Sequence, residues 1–234
     1  MVQQRRGFGG NRGGRRGGRR GSRPRREREK SPIENWVPRT QLGKQVLAGE
    51  IKSLDEILDS GARILEPTIV DFLLPDLEEE VLEISNTQRM TACGRKMVMR
   101  AIVILGDRHG HIAVGVGKAP ETRDAIAEAI MDAKKNIIRV RLGCGSWECV
   151  CGAEHSVALK ATGKSANTQI VIRPAPKGVG IVAGATARKV LLLAGVRDAW
   201  TTAKGRTRNA LNVTEATIKA LNSLNKQKMG KTSE

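Results

Sequence analysis

The chain is 234 residues long, enough for one large domain or two small ones, and it carries a formal net charge of +17. Apolar residues make up 39% of it but aromatic residues only 2%, so its cores must be built from aliphatic side chains. No run approaches the roughly 20 apolar residues that span a bilayer, and no stretch is typical of a secretory signal. We therefore expect no membrane association. The strong positive charge predicts a phosphate-rich partner.

The positive charge begins with an Arg/Gly-rich arm. Residues 1–30 hold 12 basic and 2 acidic residues, and residues 5–23 repeat Arg-Gly-Gly and Arg-Arg-Gly units. Such a composition cannot bury enough apolar surface to offset the entropy of the chain, so we expect residues 1–31 to be disordered. The arm either solvates the protein or tracks RNA, and its almost pure Arg charge favours RNA.

Residues 32–76 predict a collar of short helices. An apolar stripe that stops at Gly49 indicates the first helix. Ser53-Leu-Asp-Glu56 has the spacing of a capping box and predicts the start of a second helix. Gly61 suits the left-handed position at the end of that helix.

Residues 77–141 predict a domain of three strands and a helix. Val81–Thr91 indicates the first strand, and a basic turn at Gly94–Lys96 follows it. Met97–Leu105 is almost continuously apolar, which predicts a central strand covered on both faces.

The third strand alternates between large and small residues. Ile112, Val114 and Val116 share one face, whereas Ala113, Gly115 and Gly117 share the other. We expect the bulky face to pack on the following helix, about residues 122–139, through its stripe of Ile126, Ile130, Ala133 and Ile137. The glycine face leaves room for another backbone to approach.

Residues 142–156 form a Cys-rich connector, and residues 157–225 predict a second small α+β domain before a tail at 226–234. Thr186 is a candidate cap for one helix of this domain. Asn212-Val-Thr-Glu215 resembles a capping box and predicts the start of another helix. The predicted fold class is therefore α+β, in two domains.

Basic residues cluster around the predicted turns and helix ends. Turns backed by a packed sheet can hold cations against RNA phosphates at modest entropic cost, and the scarcity of aromatic residues favours recognition of RNA shape over base stacking. For the cations near the end of the long helix, a solvated face that complements the helix dipole is an equal alternative. The candidate RNA-binding residues are Arg89, Gly94, Arg95, Lys96, Arg108, Lys118, Arg123, Lys134, Lys135, Arg139, Arg141, Lys177, Lys204, Arg206 and Arg208.

Three cysteines and a histidine lie within twelve residues of the connector: Cys144, Cys149, Cys151 and His155. A disulfide framework is not expected in a chain of this cytosolic type. Zinc favours Cys₃His tetrahedra held by short turns that contain glycine, but the usual Cys-x-x-Cys spacing is missing here. A structural zinc site and free thiols therefore both remain open, and no other cofactor is expected.

The glycine-rich segments do not fit nucleotide-binding motifs. Gly115-Val-Gly-Lys118 lacks the spacer and the Ser or Thr of a P-loop, and the glycine spacing of residues 178–184 differs from the dinucleotide-binding fingerprint. No catalytic set emerges from the sequence, so we expect neither an enzyme nor a small-molecule substrate. A nucleotide-dependent or chaperone-type RNA-remodelling protein stays open as an alternative function.

Several segments, in order, carry a family resemblance over about residues 40–225. They are Gly94–Lys96, Ala101–Asp107, Val114–Ala119, Ala125–Ile138, Arg173–Gly180, Lys189–Gly195 and Asn212–Leu221. In these segments the chain resembles the universal small-subunit ribosomal protein five family, whose eukaryotic relatives are numbered two. The resemblance implies a domain of double-stranded-RNA-binding-like fold followed by a C-terminal α+β domain of the same family.

The resemblance also implies a structural constituent of the small ribosomal subunit in the cytoplasm. Its expected partners are small-subunit rRNA, messenger RNA near the channel by which it enters, and ribosomal proteins four and eight. The expected roles are subunit assembly and translational accuracy, with Gly94–Lys96 matching the family loop that reaches RNA near the decoding region. The long arm, the collar and the Cys-rich connector set the chain apart from bacterial members and point to an archaeal-type member. Bacterial members keep a histidine near the place of His155, which leaves a purely structural role open for it.

Overall fold

The structure is a computed structural model, and it describes residues 36–149 and 151–225. The predicted arm and tail lie outside this range. In chain order the elements are α1 (Gln41–Ala48), α2 (Leu54–Ser60), α3 (Pro67–Leu73), β1 (Glu78–Thr91), β2 (Gly94–Gly106), β3 (His111–Ala119), α4 (Thr122–Lys135), β4 (Ile138–Arg139), β5 (Leu142–Gly143), β6 (Ser156–Val157), β7 (Ala161–Ser165), β8 (Thr168–Pro174), β9 (Ile181–Val182), α5 (Ala185–Leu193), β10 (Ala199–Lys204) and α6 (Ala210–Asn225). The predicted α+β class is confirmed. Within the described residues, no helix is both long and apolar enough to cross a membrane.

The short helices α1, α2 and α3 precede the first sheet. Gly49 and Gly61 end α1 and α2 with φ values of 78° and 70°, the left-handed conformation that glycine adopts without steric cost. The predicted capping box is wrong in one respect. Ser53 is the N-cap of α2, but its hydroxyl donates to the Glu56 carboxylate at 2.8 Å and makes no cap bond to the helix backbone.

The first sheet is antiparallel, with strands in the order β1-β2-β3-β4. β1 and β2 form a long hairpin in which Thr91 pairs with Gly94, so the turn itself is Ala92-Cys93. The sequence placed the turn at Gly94–Lys96, two residues too late. The φ of 117° at Gly94 lets the chain reverse there, and residues 94–96 already belong to β2.

The packing of β3 on α4 reverses the sequence-based expectation. The glycine face of β3, and not its bulky face, lies on the helix: a Cβ at Gly117 would stand 2.1 Å from the Ala125 carbonyl oxygen. The helix correspondingly buries Ala125, Ala129 and Ala133, while Ile126 and Ile130 are only partly buried. The glycine face of β3 and the alanine face of α4 meet because their small side chains let the two backbones come close together.

The bulky face of the first sheet instead joins the core of the second domain. Ile112 of β3 and Ile104 of β2 cluster with Val190 and Leu191 of α5. The other face of β2 contributes to the core beneath α4 and the short helices. β2 is thus buried on both faces over its second half, as the sequence predicted.

The second sheet has the strand order β7-β8-β10-β9 and packs against α5 and α6. This sheet also packs closely on a helix through a glycine. A Cβ at Gly163 would lie 2.0 Å from the carbonyl oxygen of Ala216 in α6. Two helix starts were placed wrongly. Gly184, not Thr186, is the N-cap of α5, and Asn212 lies inside α6, which begins at Ala210. Thr186 and Asn212 lie in their first turns, where Thr and Asn also occur without capping.

Candidate RNA-binding surface and metal centre

The outer half of the β1–β2 hairpin is the most exposed regular structure near the predicted RNA contacts. The side chains of Arg89, Arg95 and Lys96 are all exposed, and Met90 and Met97 beside them are 70% and 56% exposed. Residues 84–100 include four basic and no acidic residues. The outer half of the hairpin therefore presents positive charge, whereas the acidic residues of β1 lie at its base, at positions 78–80 and 83.

The register of this hairpin sets like charges opposite each other. Arg89 pairs with Lys96, and Met90 pairs with Arg95 on the other face. Directly opposed cations on one face of an antiparallel ladder are unfavourable in the isolated protein. An anion lying across Arg89 and Lys96 would relieve this repulsion.

The basic residues elsewhere in the first domain differ in how far their charge is already offset. Arg108, with φ 59° in the β2–β3 turn, pairs with Glu78 at 2.7 Å, and both side chains are at least half exposed. Lys134 pairs with Asp71 at 2.7 Å and is largely buried. Arg139 reaches the carboxylates of α2 and its C-terminal turn, at 3.3 Å for Asp55.

Lys118, Arg123 and Lys135 are exposed around α4, and Arg141 is half-buried beyond its end. Lys118 and Arg123 lie near the start of α4, and Lys135 and Arg141 lie at and beyond its end. Lys134 and Arg139 therefore hold the collar to the domain, while Lys118, Arg123 and Lys135 keep their charges towards solvent.

The basic residues of the second domain lie on two loops. Lys177 is exposed on the loop between β8 and β9, and Lys204, Arg206 and Arg208 are exposed at and after the end of β10. Arg206 and Arg208 line a cleft together with Arg100 and Glu83 of the first domain. Sequence reasoning did not select Arg100, because a cation inside a mostly apolar strand gives no local signal.

The glycine-rich segments adopt structures without a phosphate cradle. Gly115 and Gly117 lie within β3, where the α4 backbone fills the space beside them. Gly178 and Gly180 belong to a loop with φ values of 95° and 73°, and their backbone N–H groups donate to Asp198. These glycines serve close packing and chain reversal.

The connector brings its four predicted ligands together. The Sγ atoms of Cys144, Cys149 and Cys151 and a ring nitrogen of His155 all lie within 4.8 Å of one another. His155 Nε2 is 3.3 Å from the Cys144 sulfur and 3.8 Å from the Cys149 sulfur. Ligands of a tetrahedral zinc stand about 3.5–3.8 Å apart, given zinc–ligand bonds of 2.0–2.3 Å. The donor set and its spacing therefore fit zinc.

His155 is fixed in the orientation that a metal ligand needs. Its Nδ1 lies 2.7 Å from the Asp198 carboxylate, and both side chains are buried. With Nδ1 donating to Asp198, the free lone pair is on Nε2, the nitrogen that faces the sulfurs. Asp198 lies 43 residues from His155 along the chain, and the sequence contains no local pattern that links them.

The surroundings of Cys149 favour its thiolate. A hydrogen bond from Cys151, then the backbone N–H of Lys177 and the His155 ring, lower the pKa of the Cys149 thiol to about 6. Cys149 therefore favours the thiolate form, which is the form that binds soft metal cations.

A second histidine network lies where the collar meets the first sheet. His111 Nδ1 is 2.5 Å from Asp107, and its Nε2 is 3.1 Å from Asp55 of α2. The hydrogen bond with Asp107 raises the pKa of His111, and the bond with Asp55 adds to this effect. Desolvation acts to raise the pKa of Asp107, but hydrogen bonds from His111 and from the turn backbone lower it overall. The sequence did not reveal this bridge.

The sheet-and-helix domain, the second α+β domain and the exposed basic hairpin define an RNA-associated class of protein. Comparison with known families gives a more specific result. The family model for the N-terminal domain of ribosomal protein S5 matches residues 77–141, and the model for its C-terminal domain matches residues 163–231. The chain belongs to the ribosomal protein S5 family, so the assignment made from the sequence is confirmed.

Archaeal relatives resemble the chain over most of its length. It is 50% identical to the small ribosomal subunit protein uS5 of Methanoregula boonei over 196 residues, covering 84% of this chain and 96% of that protein. The protein of the same name from Methanocaldococcus jannaschii is 54% identical over 193 residues, covering 82% and 89%. The one from Aeropyrum pernix is 50% identical over 196 residues, covering 84% and 90%. The expectation of an archaeal-type sequence is confirmed.

Proposed function

We propose that the chain is a non-catalytic constituent of the small ribosomal subunit in the cytoplasm and that it binds small-subunit rRNA. Membership of the ribosomal protein S5 family supports this role, as do the names of the archaeal relatives. The single observation that carries the RNA contact is the hairpin. Its outer half combines exposed cations, an absence of acidic residues in the sequence from 84 to 100, and like charges in register.

The hairpin acts as the leading contact with RNA phosphates, and the remaining exposed cations extend the surface. Gly94 allows the tight reversal that brings Arg95 and Lys96 to the tip. Exposed Met90 and Met97 add apolar area that suits sugar and base faces. The extending residues are Arg108, Lys118, Arg123, Lys135, Arg141, Lys177, Lys204, Arg206 and Arg208. The ion pair of Arg108 with Glu78 is solvent-exposed and can exchange for a phosphate, whereas Lys134 and Arg139 pair with carboxylates of the collar and add to the field more than they make direct contact.

Further partners follow from the family resemblance. We propose that the chain contacts ribosomal proteins four and eight and messenger RNA near the channel by which it enters. We also propose that it supports subunit assembly and translational accuracy. We also divide the chain functionally into the collar (32–76), the RNA-binding-like domain (77–141), the Cys-rich connector (142–156) and the C-terminal domain (157–225). Backbone packing occupies the glycine face of β3, so this face offers no nucleotide loop to the alternative of an RNA-remodelling enzyme.

The RNA contact is tested by reversing charge at the hairpin tip in the full chain. The double variant Arg95→Glu, Lys96→Glu is compared with Lys52→Glu, Arg63→Glu, which makes the same change in net charge at exposed positions of the collar. We expect the tip variant to lose roughly 10–100-fold in affinity for archaeal small-subunit rRNA and to show a salt dependence shallower by about 2. Equal affinity of the two double variants would rule out the hairpin as the leading contact.

The connector supports a second, structural proposal: Cys144, Cys149, Cys151 and His155 hold one zinc ion. The family needs no cofactor for its role, and zinc would act here as a local cross-link. Metal analysis of protein purified without chelator tests it, with Cys151→Ser as the variant and Cys93→Ser as the control, since Cys93 is exposed on the hairpin turn. We expect one zinc per chain in the wild type and in Cys93→Ser, and loss of zinc in Cys151→Ser. Metal-free wild-type protein that takes up no added zinc would exclude the site.

A further inference from the structure

The loop between β8 and β9, residues 175–180, depends on the connector for its conformation. Gly178 and Gly180 both donate backbone N–H groups to Oδ1 of Asp198, at 3.1 and 2.8 Å. The backbone N–H of Ala175 donates to the hydroxyl of Ser156 in the connector, at 3.3 Å. Three amides of the loop are therefore held by the side chains of Asp198, which is bonded to His155, and of Ser156, which follows His155.

The loop has little packing of its own at these positions. Both glycines have positive φ values, and a Cβ at either would meet no heavy atom within 4 Å among the described residues. Lys177 is exposed, and Val179 between the glycines is 40% exposed. Side-chain burial at residues 177–180 therefore contributes little. This part of the loop is held by the two amide bonds to Asp198 and by the Ala199 N–H, which donates to the Gly180 carbonyl oxygen at 3.2 Å.

The same carboxylate links the loop to the metal ligands. Oδ2 of Asp198 binds His155 Nδ1 at 2.7 Å while Oδ1 receives the loop amides. A cation on His155 Nε2 strengthens the bond between His155 and Asp198, because metal binding makes the imidazole N–H a better donor. The fixed imidazole then holds the Asp198 carboxylate in the position from which its Oδ1 accepts both loop amides.

We propose that a soft divalent cation bound by Cys144, Cys149, Cys151 and His155 fixes the 175–180 loop through His155 and Asp198, and that this holds Lys177 in place for an RNA phosphate. The inference rests on the zinc site and the RNA surface proposed above. It assigns the metal a specific purpose. The loaded cluster orders a cationic loop of the C-terminal domain, so metal binding and RNA binding reinforce each other.

Amide hydrogen exchange on the full, reduced chain tests the first link, with zinc alone as the added metal. Removing zinc should accelerate exchange of the Gly178 and Gly180 amides by about tenfold or more and leave the central amides of β8 unchanged. Cys151→Ser should reproduce the effect, because it removes one candidate ligand and leaves His155 and Asp198 in place. Asp198→Asn should accelerate the same amides even at saturating zinc, and Cys93→Ser should behave as wild type.

The outcomes separate the two proposals. If the wild type binds no zinc, the metal site itself is wrong and this inference falls with it. If zinc binds but the loop amides exchange at the same rate with and without it, the site stands and the loop inference is overturned. Loss of protection throughout β7, β8 and α6 on zinc removal would also overturn it, since the metal would then stabilise the whole domain.

RNA affinity tests the second link. Lys177→Ala should weaken binding to archaeal small-subunit rRNA by about three- to tenfold when zinc is bound, and by much less in zinc-free protein. Lys164→Ala, an exposed lysine of β7 outside the loop, is the matched control and should show no zinc dependence. An equal effect of Lys177→Ala in both metal states would refute the coupling between metal and RNA.

Discussion

Gly115 of β3 lies directly against Ala129 of α4, so that a Cβ on Gly115 would stand 2.0 Å from the Ala129 carbonyl oxygen. It would also lie 2.4 Å from the backbone nitrogen of Ala133. Neither neighbour is the end of a flexible side chain, so the contact cannot relax by a rotamer change. The helix therefore rests on the sheet through its backbone, and Gly115 determines how close it lies.

Replacing Gly115 with alanine should destabilise the protein. The added methyl group must push α4 off the sheet, and overpacking of this kind costs typically 1–3 kcal/mol, with about 3 kcal/mol expected where backbone blocks relaxation. Urea unfolding followed by circular dichroism measures the change in unfolding free energy. Gly184→Ala is the control, because this glycine has open space around it and a φ of −62°. Since Gly184 is the N-cap of α5, its replacement should cost no more than about 1 kcal/mol, and a change as large as that of Gly115→Ala would contradict the packing argument.

Arg89→Glu should have opposite effects on stability and on RNA binding. In the free protein the variant converts a repulsive pair across β1 and β2 into an attractive one with Lys96, which should stabilise the hairpin by about 0.5 kcal/mol. On RNA it removes a phosphate contact and adds a repulsive charge, so affinity should fall roughly tenfold or more. Thermal unfolding and filter binding are measured on the same samples. Arg63→Glu makes the same charge change on the collar, and a parallel fall in affinity there would show a non-specific effect.

The His111 bridge should make stability depend on pH in a defined direction. The folded-state pKa of His111 is raised, so its contribution is fully present below the ordinary histidine value of about 6.5 and is lost as pH rises through the raised pKa. Asp107, whose pKa is lowered, stays ionised throughout this range. We expect His111→Asn to be less stable than wild type by about 2 kcal/mol near pH 5.5, with the difference shrinking at higher pH.

The groups facing His111 are Asp107 and Asp55, and Arg139 contacts Asp55 from β4. His109 is the internal control, since it lies in the same turn and is exposed. Urea unfolding of His111→Asn and of the control His109→Asn is followed between pH 5.5 and 8.5. Only His111→Asn should lose stability in a pH-dependent way. A pH-independent loss in His111→Asn would mean that packing, and not the charged bridge, accounts for its effect.

Local chemistry allowed much of the fold to be predicted from the sequence. Gly49 and Gly61 end their helices in the left-handed conformation as expected, because only glycine adopts it without strain. The apolar run of β2 identified a strand buried on both faces. The four candidate ligands of the connector could be predicted because they are close together along the chain, and the structure brings them together.

Relationships between distant residues could not be read in the same way. Alternation divided β3 into two faces, but the larger side chains were assigned to α4 when the glycines face it. Side-chain size alone does not say whether a helix approaches through its side chains or its backbone. His155 and Asp198 meet only because β10 brings Asp198 beside the connector, and no periodicity encodes that contact.

The Glu66 carboxylate should hold residues 36–40, the segment before α1, against the start of α3. The carboxylate accepts hydrogen bonds from the backbone N–H groups of Thr40 and Arg39, at 2.6 and 2.9 Å, and from the indole of Trp36 at 3.0 Å. Desolvation acts to raise the pKa of Glu66, but these bonds lower it overall. Three donors thus depend on one side chain at the start of α3.

Glu66→Ala should release this segment and reduce the unfolding free energy by about 2 kcal/mol, since hydrogen bonds to a charged acceptor are lost and their donors left unpaired. Trp36 fluorescence reports the release directly when Trp147 and Trp200 are replaced by phenylalanine. The contribution is present above the ordinary glutamate pKa of about 4.3 and is lost as pH falls through the lowered value. Glu50→Ala is the control, because Glu50 is exposed just after α1. If the Trp36 spectrum were the same in Glu66→Ala, Glu50→Ala and the parent, the indole would not be held by this carboxylate.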